Sequence, residues 1–210
     1  LFIAPSFPLL SEVKKCISKN IVSYNLNLCA QNCHHHNEGA FTGEVSVKML
    51  KSLDVSSVII GHSERRQYFN ESNMVLAQKV FVCSQNNILP IFCFGESKEQ
   101  REKGDFLDII ESQIRILKDS IRDNQEIILA YEPIWAIGTG STPSLQEIEK
   151  VHSFVKTIFP KINVLYGGSL NKFNAKDILS LPNVDGGLIG GASLDSTEFI
   201  SIIRCAHEIC

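Results

Sequence analysis

The stretch IILAYEPIWAIGTG, residues 127–140, changes character at Glu132, and that change decides how the rest of the chain is read. Residues 127–131 form a short, continuous apolar run. Continuity, rather than alternation of apolar and polar residues, is the pattern of a parallel strand covered on both faces. Glu132 ends the run and Pro133 fixes the backbone beyond it. Ile134, Trp135, Ala136 and Ile137 then make an apolar tip, followed by Gly138, Thr139 and Gly140 as a conformationally permissive hinge. A carboxylate beneath an apolar, hinged loop loses water when the loop closes, which raises its basicity. A salt-bridged glutamate beside an ordinary loop would carry the same letters.

Runs of the same kind recur at residues 1–4, 24–30, 57–60, 88–94, 163–166 and 187–189, and helices are expected between them. One spans 105–123, where Phe106, Ile110, Ile114, Leu117 and Ile121 fall on a single stripe. Another starts at Ser144, which stands three residues before Glu147 as in a capping box, and stops at Pro160. Seven strand-to-helix alternations without a linker, charge block or low-complexity stretch predict one α/β domain over residues 1–210. Seven units leave two open sheet edges, whereas eight close into a (β/α)8 barrel of about 250 residues. The expectation is therefore such a barrel with its first unit missing from this stretch. A doubly wound open sheet is the alternative, but the first strand-to-helix turn, PSFPLL at 5–10, lacks the glycines of a dinucleotide fold.

Composition narrows the function classes. The chain has 210 residues, 44% of them hydrophobic and 20% charged, enough for a sizeable core. A net charge of -3 and a pI near 6.1, with no basic cluster, argue against nucleic acid as a partner. No apolar run approaches the roughly twenty residues of a membrane helix, so a cytoplasmic, membrane-free protein is expected. Seven cysteines, at 16, 29, 33, 83, 93, 205 and 210, form no C-x-x-C pair and read as reduced, mostly buried thiols.

Polar and glycine residues gather just after the strands: Gln31 and Asn32, His62, Glu96, Glu132, Gly167 to Ser169, then Gly190 and Gly191. In a parallel barrel these positions share the carboxyl end, where active sites are built. In VIIGHSERR, residues 58–66, His62 stands at a strand end and at the start of a polar turn or helix. Backbone dipoles there disfavour the imidazolium, so a neutral ring could polarise a substrate oxygen through its N–H. YGGS at 166–169 and GLIGGAS at 187–193 place glycine pairs after the last two strands. Their backbone N–H groups suit a phosphate dianion without lysine or arginine.

With AQN at 30–32, AFTGE at 40–44, GHSERR at 61–66, AYEPIWAIGTG, YGGS and GGASL, the chain resembles the triosephosphate isomerase family along its whole length. That resemblance implies a glycolytic and gluconeogenic isomerase with no cofactor and no metal. It interconverts dihydroxyacetone phosphate and D-glyceraldehyde 3-phosphate through an enediolate. It implies Glu132 as the base and His62 as the neutral electrophile. Gly138, Ser169, Gly190 and Gly191 become phosphate-binding backbone positions, with Cys93 and Glu96 in support. Thr42 reaches into a second copy, making a homodimer. Glu64 matches the partner of the family's lysine.

Two features stand apart. Members of the family begin with a strand ending in asparagine-x-lysine, and that lysine supplies a fixed positive charge beside the developing enediolate. No strand of this chain ends so, and Lys14 and Lys15 belong to the first expected helix. Residues 1–210 taken alone are thus expected to hold the base without its cation, with doubtful activity. His34, His35 and His36 are read as a solvated loop, since consecutive residues converge poorly on one tetrahedral ion. A phosphate-binding lyase or synthase would use the same glycine pairs, but needs neither GHSERR nor the AYEP segment. A non-catalytic interaction protein is the remaining class.

Overall fold

The computed structural model describes residues 1–19, 25–118, 120, 126–137 and 142–209. They fall into two compact units: Leu1–Phe92 with Arg115–Ile127, and Cys93–Ile114 with Ile128–Cys210.

The first unit runs β1 (Phe2–Ile3), α1 (Leu10–Lys19), β2 (Asn27–Ala30), α2 (Val47–Ser52), β3 (Ser57–Ile60), α3 (Ser63–Tyr68), α4 (Asn73–Gln85) and the opening of β4 (Leu89–Phe94). Its strands are parallel and in chain order, with Phe2 beside Asn27, Cys29 beside Ser57 and Ser57 beside Leu89. Ala30, Val58, Ile60, Leu76, Val80, Cys83 and Phe92 are wholly buried.

The second unit takes the end of β4, then α5 (Lys98–Lys103), α6 (Phe106–Arg115, whose last residue belongs to the first unit), β5 (Ile128–Tyr131), α7 (Leu145–Ile158), β6 (Asn163–Tyr166), α8 (Ala175–Leu179), β7 (Gly186–Gly187) and α9 (Ser196–Ile209). The Glu132 N–H donates to the Phe94 carbonyl at 2.7 Å, fastening the end of β5 beside that of β4. β5 pairs in parallel with β6, and β6 with β7. Leu129, Tyr131, Val164, Tyr166, Ile148, Val151 and Val155 fill this core.

Local signals explain most boundaries. Ser144 and Glu147 close the expected capping box at the start of α7, and Phe159 caps its end just before Pro160. Ser97 and Gln100 form a second capping box on α5, which stops at Gly104 with φ +87°. That left-handed turn is open to glycine at little strain. Serines 46 and 72 cap α2 and α4 through their side chains.

Strands 57–60 and 163–166 lie where expected, and those expected over 1–4, 88–94 and 127–131 are trimmed by one or two residues; that expected over 24–30 is observed at 27–30, with Tyr24 outside the described residues. The last strand shifts to Gly186–Gly187. The helix expected over 105–123 is observed as α6, followed by a turn that buries Leu117; Ile121 lies outside the described residues. Burial is continuous in β3, as expected for strands covered on both faces, but β6 runs exposed, buried, intermediate, buried. The simple alternation of one helix per strand is also doubled after β3 and β4, where two helices intervene. No described helix is long and apolar enough to cross a membrane. Four of the six described cysteines are buried, and none of the six is in a disulfide.

Candidate active site

In the second unit the parallel strands bring Glu96, Glu132, the YGGS turn and the Gly190 region to one end. Glu132 follows β5 directly and is 2% exposed. Two glycines make room for it. A Cβ on Gly95 would lie 1.7 Å from the Glu132 carbonyl oxygen, and one on Gly167 would lie 3.1 Å from Glu132 Cγ. A side chain at Gly95 would collide with the glutamate's backbone, while one at Gly167 would crowd its side chain. Gly95 is not among the residues singled out from the sequence; its signal is a glycine immediately after a strand, inside FCFGES.

Beyond Glu132, Ile134–Ala136 form one 3-10 turn, the apolar tip expected for the loop. Its Trp135 indole N–H donates to Glu96 Oε1 at 3.0 Å. The Tyr131 hydroxyl donates to the same oxygen at 3.0 Å, and Arg101 Nη1 at 2.7 Å. Glu96 has no exposed surface, so Arg101 supplies the positive charge that a buried carboxylate needs. Arg101 Nη2 also reaches Glu147 Oε1 at 2.8 Å. Burial opposes the charge of Arg101, yet its hydrogen bonds to Glu147 and Glu96 hold its pKa above the ordinary value. Burial, then the Glu96 charge, raises the Tyr131 phenol well above its usual range. Glu147 titrates below the usual carboxylate value, first because the Ser144 N–H donates to it. Glu96 is expected from the sequence as a supporting residue; Arg101 is not, because a spacing of five on a short charged helix reads as surface, and Tyr131 is not, because it reads as part of its strand's apolar run.

Ser169 donates its hydroxyl to the Ala136 carbonyl at 3.0 Å, joining the YGGS turn to the loop tip. Asn174 Nδ2 holds the Ser169 carbonyl at 3.0 Å. Asn174 and Lys176 have asparagine-x-lysine spacing, but they stand at the start of α8 and Lys176 is exposed. Gly190 and Gly191 are exposed, and a Cβ on either meets open space. Gly138 lies outside the described residues. Cys93 is wholly buried in β4.

In the first unit His62 is the N-cap of α3, and its Nδ1 accepts the Glu64 N–H at 3.4 Å. With Nδ1 accepting, a neutral ring carries its proton on Nε2. The Glu64 carboxylate is exposed, 3.7 Å from Nδ1. The two arginines of SERR turn inward as scaffold. Arg66 donates to the Gly61 carbonyl at 2.9 Å and to Asn73. Arg65 pairs with Glu71 at 2.6 Å, Glu71 with Lys79 at 2.6 Å, and Lys79 with Asn32 at 2.7 Å. This chain of polar contacts fixes the His62 turn to the residues following β2.

Thr42 is exposed at the tip of a turn closed by the Glu44 N–H on the Phe41 carbonyl at 3.0 Å, with Gly43 at φ +90°. The histidine triplet departs from the solvated loop read in the sequence. His34 is buried, His35 half-buried and only His36 exposed, because Phe41 packs against the rings, 4.4 Å from His34 and 4.8 Å from His36 between centroids. Burial, then the neighbouring His34 and His36, lowers the His35 pKa. Among the described residues no three His, Cys, Asp or Glu side chains gather as a metal-binding group.

The sequence profile of the triosephosphate isomerase family matches residues 1–206. A protein named triosephosphate isomerase from Pelodictyon phaeoclathratiforme is 44% identical, over 97% of this chain and 83% of its own length. Proteins of the same name from Prosthecochloris aestuarii and Francisella tularensis subsp. mediasiatica are each 41% identical, over 98% and 97% of this chain and 84% of their own lengths.

Proposed function

The chain belongs to the triosephosphate isomerase family, a family of isomerases, and on that footing we propose that it interconverts dihydroxyacetone phosphate and D-glyceraldehyde 3-phosphate. Glu132 takes the proton from the carbon beside the substrate carbonyl. The electron pair left behind moves into an enediolate, whose oxygens exchange protons with His62. Reprotonation by Glu132 at the neighbouring carbon completes the isomerisation. The geometry of His62 suits this work: Nδ1 accepts the Glu64 N–H, which leaves Nε2 to donate to a substrate oxygen. A glutamate base working with a neutral histidine is the pattern already known for the family.

The observation that carries the reading is the setting of Glu132: 2% exposed, at the end of β5, held between two glycines and followed at once by the apolar turn. Such a carboxylate is poorly solvated, which favours proton abstraction. Gly138, Ser169, Gly190 and Gly191 hold the substrate phosphate, with Cys93 and Glu96 supporting the base and its loop. The exposed Thr42 turn enters a second copy, giving a cytoplasmic homodimer that serves glycolysis and gluconeogenesis.

The direct test is turnover of D-glyceraldehyde 3-phosphate in deuterium oxide. The expected result is dihydroxyacetone phosphate carrying solvent deuterium on carbon, because the base exchanges its proton. Product formed without deuterium, or no product above buffer, rejects the mechanism.

A further inference from the structure

Arg101 sits where the two ends of the loop that follows Glu132 meet. Its guanidinium carbon is 5.0 Å from the centroid of the Trp135 ring, on the side where the loop leaves β5, and 4.7 Å from that of Phe106. On the side where the loop rejoins the fold, Nη2 binds Glu147 at 2.8 Å. Glu147 in turn accepts the Ser144 N–H at 2.8 Å and closes the capping box of α7. Nη1 binds Glu96, the carboxylate that also accepts the Trp135 indole N–H. The Arg101 side chain is 16% exposed, so these contacts work in a partly water-excluded setting.

We infer that Arg101 is a positioning residue for the loop over the active site: one planar guanidinium fixes Trp135 at the loop's start and the α7 cap at its end. This rests on the isomerase reading only in so far as the loop covers substrate. Two properties make arginine the fitting residue. Its forked donors can engage two carboxylates at once, and its flat face can stack on an indole. Glu96 also depends on it. Without the cation a carboxylate with no exposed surface is left as an uncompensated buried charge, and the pocket that holds the indole is strained. Lysine would restore the charge but not the fork.

The variants Arg101→Lys and Glu147→Gln separate these roles, and Trp135, the single tryptophan, reports on the loop directly. Glu147→Gln cuts the bridge at its more exposed end and serves if the arginine substitution unfolds the protein. Circular dichroism checks the fold, acrylamide quenching reads the indole, and turnover of D-glyceraldehyde 3-phosphate reads the consequence. Both variants are expected to keep the wild-type dichroism, to expose Trp135 to quencher, and to lose about tenfold or more in kcat/KM. Wild-type quenching and turnover in both variants would overturn the inference. So would full rescue by lysine, because then charge alone suffices. Absence of turnover in the wild type sinks the isomerase reading instead, while the quenching comparison still judges Arg101.

Discussion

Gly95 faces the backbone of Glu132 so closely that a Cβ on it would lie 1.7 Å from the glutamate carbonyl oxygen. The obstacle is backbone, held by the 2.7 Å hydrogen bond from the Glu132 N–H to the Phe94 carbonyl, and cannot swing aside. Gly95→Ala is therefore expected to destabilise the fold by about 3 kcal/mol or more, the range of severe overpacking. Urea denaturation measures it. A loss below about 1 kcal/mol would mean that β4 and β5 yield where the structure holds them together.

The polar chain in the first unit is expected to contribute to stability as well. Lys79 is 4% exposed and lies between Glu71 and Asn32. Lys79→Met would keep the volume and strip one cation from a carboxylate that is itself 7% exposed. Arg65 still faces Glu71, which softens the effect. The expected cost is about 2 kcal/mol, below the full penalty for breaking a buried pair. An unchanged denaturation midpoint would show that the chain of contacts contributes nothing.

His152 gives the fold a pH dependence. It is wholly buried, donates Nδ1–H to the Asn183 carbonyl at 3.1 Å, and meets the Tyr131 ring edge-on. Burial lowers its pKa to about 4. Unfolded histidine takes up a proton below about pH 6.5, so between these values the unfolded chain binds more protons. Stability contributed by this residue is thus complete above about pH 6.5 and is lost as pH falls toward 4, by up to about 3 kcal/mol. His152→Gln should flatten that part of the stability profile. Parallel profiles for variant and wild type would refute the assignment.

Much of the fold is legible in the sequence because its signals are local. The Ser144–Glu147 box and Pro160 bracket α7 within the sequence itself, and the all-apolar run after Ser57 could be little other than a buried strand. β1 and β7 are less legible: each is two residues long, and a strand so short is defined by its neighbour's hydrogen bonds rather than by its own side chains. Of the candidate site, Glu132 and His62 can be named because each ends a strand at a break in polarity. Arg101 cannot, since its partners Glu96, Trp135 and Glu147 are brought together only by the packing of three separate elements. The histidine triplet misleads for the opposite reason. Polar letters suggest solvent, but Phe41, a few positions further along the chain, covers part of them.

If Glu132 is the base of an isomerase, the most direct measurement is the rate of D-glyceraldehyde 3-phosphate conversion by wild-type protein and by Glu132→Gln, each against buffer. Glutamine keeps the shape and removes the proton acceptor. Conversion above buffer is expected for the wild type, with a loss on the order of 10²- to 10⁴-fold in the variant. Equal rates for the two proteins would contradict the assignment of Glu132 as the base.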